Sequence, residues 1–167
     1  MIKYKKRYCE DKMKQISKIQ SFRVDHDKIL PGIYISRVDG DITTFDLRTR
    51  KPNCGSYMDS TTMHTLEHMF ATFVRNSEAG ERVIYFGPMG CRTGFYLLMR
   101  DTDIKEAVTL IKETLEKIVA YEGPVFGASR KECGNYLDLK LDCAKKECKE
   151  YLENIEKYKK TDGAYDE

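Results

Sequence analysis

Three histidines are all that this chain carries, tryptophan is absent, and basic and acidic residues nearly cancel, 29 against 27. That balance excludes the broad positive field that holds nucleic acid. No apolar run approaches the ~20 residues that a membrane-crossing helix needs. Neither nucleic acid nor membrane is therefore expected as a partner. The six cysteines (Cys9, Cys54, Cys91, Cys133, Cys143, Cys148) contain no C-x-x-C pair and suggest no tight disulfide framework. The amino terminus, MIKYKKRYCEDKMKQ, lacks the apolar core and small-residue cleavage site of an export signal. Reduced thiols in the cytoplasm are the expectation, which leaves single cysteines available as ligands or catalysts.

What remains is the composition of an ordinary globular protein, 41% hydrophobic and 34% charged over 167 residues. It fits a lysine-rich leader over 1–20, a single domain over 21–160, and a charged tail over 161–167 that is loose after Tyr158. GIYISRV and ITTFDLRTR read as two strands joined at Asp39-Gly40-Asp41. Alternation puts Asp46 and Arg48 on one face of the second strand, with Phe45 and Leu47 on the other. Such a charged pair is the wet side of a sheet unless a site lies beside it. RVIYF and RTGFYLLMR give two more strands around the turn GPMGC. Helices are predicted after a cap at Asp59 or Ser60, from about Asp103 to Tyr121, and from a cap near Asn135. The last carries the stripe Leu137, Leu141, Ala144, Cys148, Tyr151 and Ile155.

Two of the three histidines fall within HTLEH, residues 64 to 68. His-x-x-Glu-His is the inverted zinc motif, which raises a small metallohydrolase or peptidase. At about 100° per residue His64 and His68 share a helix face, while Leu66, Met69, Phe70 and Phe73 lie opposite. Core histidines would sit within the apolar stripe, so these read as metal ligands, with Glu67 on the flank. Two imidazoles need a further ligand. A peptidase would draw it from a downstream glutamate, but Glu106, Glu113 and Glu116 all sit in solvated charge patterns. Cys133 precedes Gly134 at an expected helix start, where amides and the helix dipole favour a thiolate. A His2Cys set suits zinc or ferrous iron. Cys91, in GPMGCRTG, stays open between a structural turn cysteine and a reactive thiol that Arg92 could activate if the two side chains converge.

The motifs SFRVDH (21–26), FDLRTRKPN (45–53), HTLEH (64–68), PMGCRTG (88–94) and ECGN (132–135) occur in one order. In that order and spacing the chain resembles the S-ribosylhomocysteine lyase (LuxS) family, from Ser21 to about residue 155. The resemblance implies an α/β sandwich, a four-stranded antiparallel sheet packed by helices, in a homodimer with active sites at the interface. It implies one divalent metal per subunit, Fe2+ ahead of Zn2+, held by His64, His68 and Cys133. Cys91 and Glu67 would be the acid/base pair. Ser21, His26 and Arg48 would hold S-ribosylhomocysteine, and Arg75 would lie near the interface and the substrate. The implied reaction is C–S cleavage to homocysteine and 4,5-dihydroxy-2,3-pentanedione, the autoinducer-2 precursor. Three positions depart from the family pattern: the leader is longer, Tyr85-Phe86-Gly87 stand where Asp-Ile-Ser is common, and Arg92 replaces Gln.

Overall fold

The computed structural model describes residues 17–165. Residues 1–16 of the expected leader and the last two residues of the tail lie outside the described residues. The chain forms β1 (Gly32–Asp39), β2 (Ile42–Arg48), α1 (Ser60–Arg75), β3 (Val83–Pro88), β4 (Gly94–Arg100), α2 (Ile104–Ala120) and α3 (Leu141–Tyr158). Short 3-10 turns occupy Gln20–Phe22, Gly80–Arg82 and Tyr136–Asp138. The four strands pair antiparallel in the order β1-β2-β4-β3. The three helices cover one face, giving the α/β sandwich expected from the sequence.

Period-two alternation builds the inner face. Phe45 and Leu47 of β2 lie beside Phe95, Leu97 and Met99 of β4, all buried against the helices. Leu66, Met69, Phe70 and Val74 supply the core stripe of α1. Asp59 caps that helix, its carboxylate accepting the Thr62 N–H at 2.8 Å. The capping fixes where the turn containing His64 begins.

Three expectations change. Asp46 and Arg48 do lie opposite Phe45 and Leu47, but they are not wet: their exposures are 1% and 3%. The outer face is covered there by the segment carrying Ser21, Val24, His26 and Ile29, and by Tyr165. Residues 160–165 of the tail are not loose but run along β1. The Ile33 N–H donates to the Lys160 carbonyl at 2.7 Å, and the Ile35 N–H to the Gly163 carbonyl at 2.8 Å. The last helix starts at Leu141 rather than near Asn135, and Leu137 stands 78% exposed. Residues before it spend their backbone groups on local turns, and the Lys140 N–H donates to Thr65 Oγ1 at 3.0 Å, which ties the turn to α1.

Candidate active site

The helix face predicted for His64 and His68 meets a loop that runs from the end of α2 to α3. Nitrogen of each imidazole and the Cys133 sulfur all lie within 4.8 Å of one another. His64 Nε2 stands 3.3 Å from Cys133 Sγ, and the two rings sit edge to face at 4.8 Å between centroids. His68 Nδ1 is 2.8 Å from the Phe126 carbonyl. That carbonyl requires the proton on Nδ1, which leaves Nε2 free as a ligand. His64 Nδ1 faces the Asp138 carboxylate at 3.8 Å. Gly127 makes the loop's approach possible. Its φ is +67°, and a Cβ there would lie 3.1 Å from His68 Nδ1.

Two imidazoles and one thiol, with carbonyl and carboxylate groups behind them, form a donor set that fits a divalent metal. Among the described residues no glutamate joins the two histidines as a peptidase site would need, and Cys133 takes that place. Its surroundings differ from those expected. No helix starts at Cys133, because only the 3-10 turn Tyr136–Asp138 follows it. One amide does reach it, the Asn135 N–H at 3.4 Å from Sγ. Glu67, half-buried beside the two histidines on α1, makes no hydrogen bond or ion pair among the described residues.

A second set lies on the outer sheet face. Arg48 sends Nη2 to Asp46 Oδ2 at 2.5 Å and Nη1 to Thr93 Oγ1 at 2.7 Å. The same Nη1 stands 3.7 Å from Cys91 Sγ, and Thr93 Oγ1 stands 3.1 Å from that sulfur. Burial works against the Arg48 charge, but the Asp46 carboxylate outweighs it and holds the guanidinium above its ordinary pKa. The positive neighbour of Cys91 is therefore Arg48. Arg92, favoured from sequence because it is adjacent, adopts a left-handed φ of 61° and lies over the Tyr57 ring instead.

Ser21, His26 and Arg48, the three residues expected to hold substrate, line one small cavity with Asp46 and Tyr165. Arg75 is not brought there. Its guanidinium donates to the Val83 and Ile84 carbonyls at 3.1 and 3.0 Å and pins α1 to β3. Cys148 is a core thiol, and burial pushes its pKa far up. A cavity of about 870 Å3 lies between the end of α1 and α2 and contains none of these groups. Sequence reasoning missed Phe126, Thr93, Asp138 and Tyr165. Thr93 lies within a quoted motif, but the other three carry no local signal of a role at a site.

Residues 19–162 match the family S-Ribosylhomocysteinase (LuxS). The chain belongs to the LuxS family. Among its relatives is the S-ribosylhomocysteine lyase of Finegoldia magna, 49% identical over 91% of this chain and 100% of that protein. The S-ribosylhomocysteine lyase of Clostridium beijerinckii is 45% identical over 84% of this chain and 92% of its own length. That of Borreliella burgdorferi is 44% identical over 90% and 99%. LuxS proteins are metal-dependent, and in this member His64, His68 and Cys133 form a group that could hold a metal ion. No described helix is long and apolar enough to cross a membrane.

Proposed function

We infer that this chain is an S-ribosylhomocysteine lyase, cleaving the C–S bond of S-ribosylhomocysteine to give homocysteine and 4,5-dihydroxy-2,3-pentanedione. The observation that carries the reading is a His2Cys set and a separate, arginine-flanked thiol on one LuxS chain. Peptide hydrolysis needs a metal and a base but has no use for that thiol.

The reaction moves a carbonyl along the sugar until the C–S bond lies β to it, then eliminates. Each shift takes a proton from a carbon beside a carbonyl and returns one elsewhere. His64, His68 and Cys133 would hold the metal, one per subunit. When bound, it supplies Lewis-acid stabilisation for negative charge developing on the sugar. Cys91 serves as one proton carrier, with the Arg48 guanidinium beside its sulfur. Glu67 serves as the other, and its carboxylate, without a hydrogen-bond or ion-pair partner among the described residues, is available to take and return a proton. In the last step loss of the α proton drives out the homocysteine sulfur with the bonding electron pair, and that sulfur is then protonated. Ser21, His26 and Arg48 hold and orient the substrate.

The donor set suits both ferrous iron and zinc, and ferrous iron is the native metal in this reading. The functional unit is a homodimer with its sites at the interface. An open cavity of about 550 Å3 on the outer sheet face, lined by Ile19, Tyr85, Tyr96 and Leu98 among others, supports this. Arg75 then acts near that interface through the strand it pins. The enzyme is cytoplasmic in this reading, which the free cysteines among the described residues support, and the leader is dispensable for turnover.

Protein purified without oxygen should release free thiol from S-ribosylhomocysteine, carry about one metal ion per chain, and sediment as a dimer. Absence of thiol release from the metal-loaded protein would overturn the assignment.

A further inference from the structure

Residues 160–165 leave α3 through Lys159, whose φ of 52° turns the chain back, and lie against β1. Gly32 permits the contact, since a Cβ there would stand 2.5 Å from both the Lys160 Cβ and its carbonyl oxygen. The segment ends with the Tyr165 ring stacked on Tyr34, 4.7 Å between centroids and 5° from parallel. Tyr34 is the β1 neighbour of Asp46 in the sheet register. From that position the Tyr165 hydroxyl donates to Asp46 Oδ2 at 2.8 Å.

Oδ2 therefore receives both the tyrosine and Arg48 Nη2, while Asp46 Oδ1 and Arg48 Nε are buried with no partner. An arginine and a carboxylate left to themselves favour two parallel bonds from two nitrogens to two oxygens. The two orphaned atoms are those that a side-on pairing through Nε and Nη2 would satisfy. That pairing would turn the guanidinium toward Asp46 and draw Nη1 from Thr93 and Cys91. The tyrosine hydroxyl, by occupying Oδ2 from the other side, favours the one-oxygen arrangement. Burial first, and then the Asp46 carboxylate, push the Tyr165 phenol well above its ordinary pKa, so it remains a donor at neutral pH.

We propose that Tyr165 is a positioning residue for the lyase reaction, holding Asp46 so that Arg48 keeps its charge against the Cys91 thiol. The carboxyl-terminal segment is thereby part of the active site. The proposal rests on the lyase reading for the role of Cys91, and its test separates the two.

Tyr165→Phe keeps the ring that stacks on Tyr34 and removes only the hydroxyl. In the metal-loaded, full-length protein it should lower kcat about 10-fold, as a small misplacement of a reacting group does, with KM within about twofold of wild type by the same argument. The rate of Cys91 alkylation by iodoacetamide, read at that residue by peptide mass spectrometry, should fall by a similar factor. Gly163→Ala disturbs the segment without touching the hydroxyl, since φ there is +82° and a Cβ would crowd Ile35 at 3.0 Å. It should move both rates the same way and keeps the test available if Tyr165→Phe fails to fold. Unchanged kcat and alkylation in Tyr165→Phe would overturn the positioning role, as would a loss confined to KM. A wild type that alkylates readily at Cys91 but releases no thiol from substrate would overturn the lyase reading, leaving any Tyr165–Cys91 coupling without that reaction.

Discussion

His64 and His68 stand four residues apart on one helix, whereas Asp46 and Tyr165, which share a hydrogen bond, are 119 residues apart. The first pair is aligned by helical periodicity alone, and a capped start and an apolar stripe on the far side suffice to aim it. Only its third member, Cys133, depends on how a loop folds back. The outer-face set has no such local frame. Asp46 and Arg48 are aligned by one strand, but Cys91 and Thr93 arrive from the β3–β4 turn and Tyr165 from a segment laid on β1. Among the described residues no hydrogen bond or ion pair joins the two sets directly. The histidine spacing is thus carried by one element, while the environment of the Cys91 thiol is carried by sheet register and a docked segment.

Removing one proposed ligand tests the independence of the two sets with the largest effect. His68→Ala should cut bound metal to near zero and thiol release by roughly 10^3-fold or more, measured by elemental analysis and a thiol assay. Alkylation of Cys91 should stay unchanged in that variant, and a change would tie the sets together. Cys91→Ala should do the reverse, losing about 10^2- to 10^3-fold in turnover with metal content intact. Unimpaired turnover would return the chemistry to Glu67 and a metal-bound water.

Arg48→Ala sharpens the contrast by striking at stability as well as activity. A residue on a polar strand face was expected to matter for binding rather than folding. Burial reverses this, because truncation leaves Asp46 enclosed without its cation, at a cost of about 3–5 kcal/mol. Urea unfolding midpoints would show it, and unaltered stability would mean that water reaches the pair. Gly127→Ala should weaken metal binding about 10-fold by pressing on the carbonyl-held His68, measured by competition with a chelator. Asp59→Ala should have the smallest effect, about 1 kcal/mol from loss of the α1 cap. The backbone bond from Thr62, chiefly, holds the Asp59 carboxyl below its usual pKa. Its contribution is therefore complete above the unfolded value of about 3.9 and lost as pH falls through the lower folded value. An acid titration of stability should show wild type and variant converging below that window.

The sequence by itself determined the strands, the first two helices and the shared face of His64 and His68. Each follows from a period of 2 or 3.6 set within about ten residues. It also made Cys133 and Cys91 the two cysteines to follow, through their places in loops. The motif order carried the LuxS resemblance for the same reason, since motifs are local. Only the tertiary structure decided that Asp46 and Arg48 are buried, that Arg48 rather than adjacent Arg92 faces Cys91, that α3 begins at Leu141, and that Tyr165 of the charged tail bonds to Asp46. None of these has a period to read. A strand residue's face is fixed by its own backbone, but what covers that face is fixed by segments that return from anywhere in the chain. Tyr165 looks like part of a solvated terminus in sequence because its partners, Tyr34 and Asp46, become neighbours only once β1 and β2 have paired.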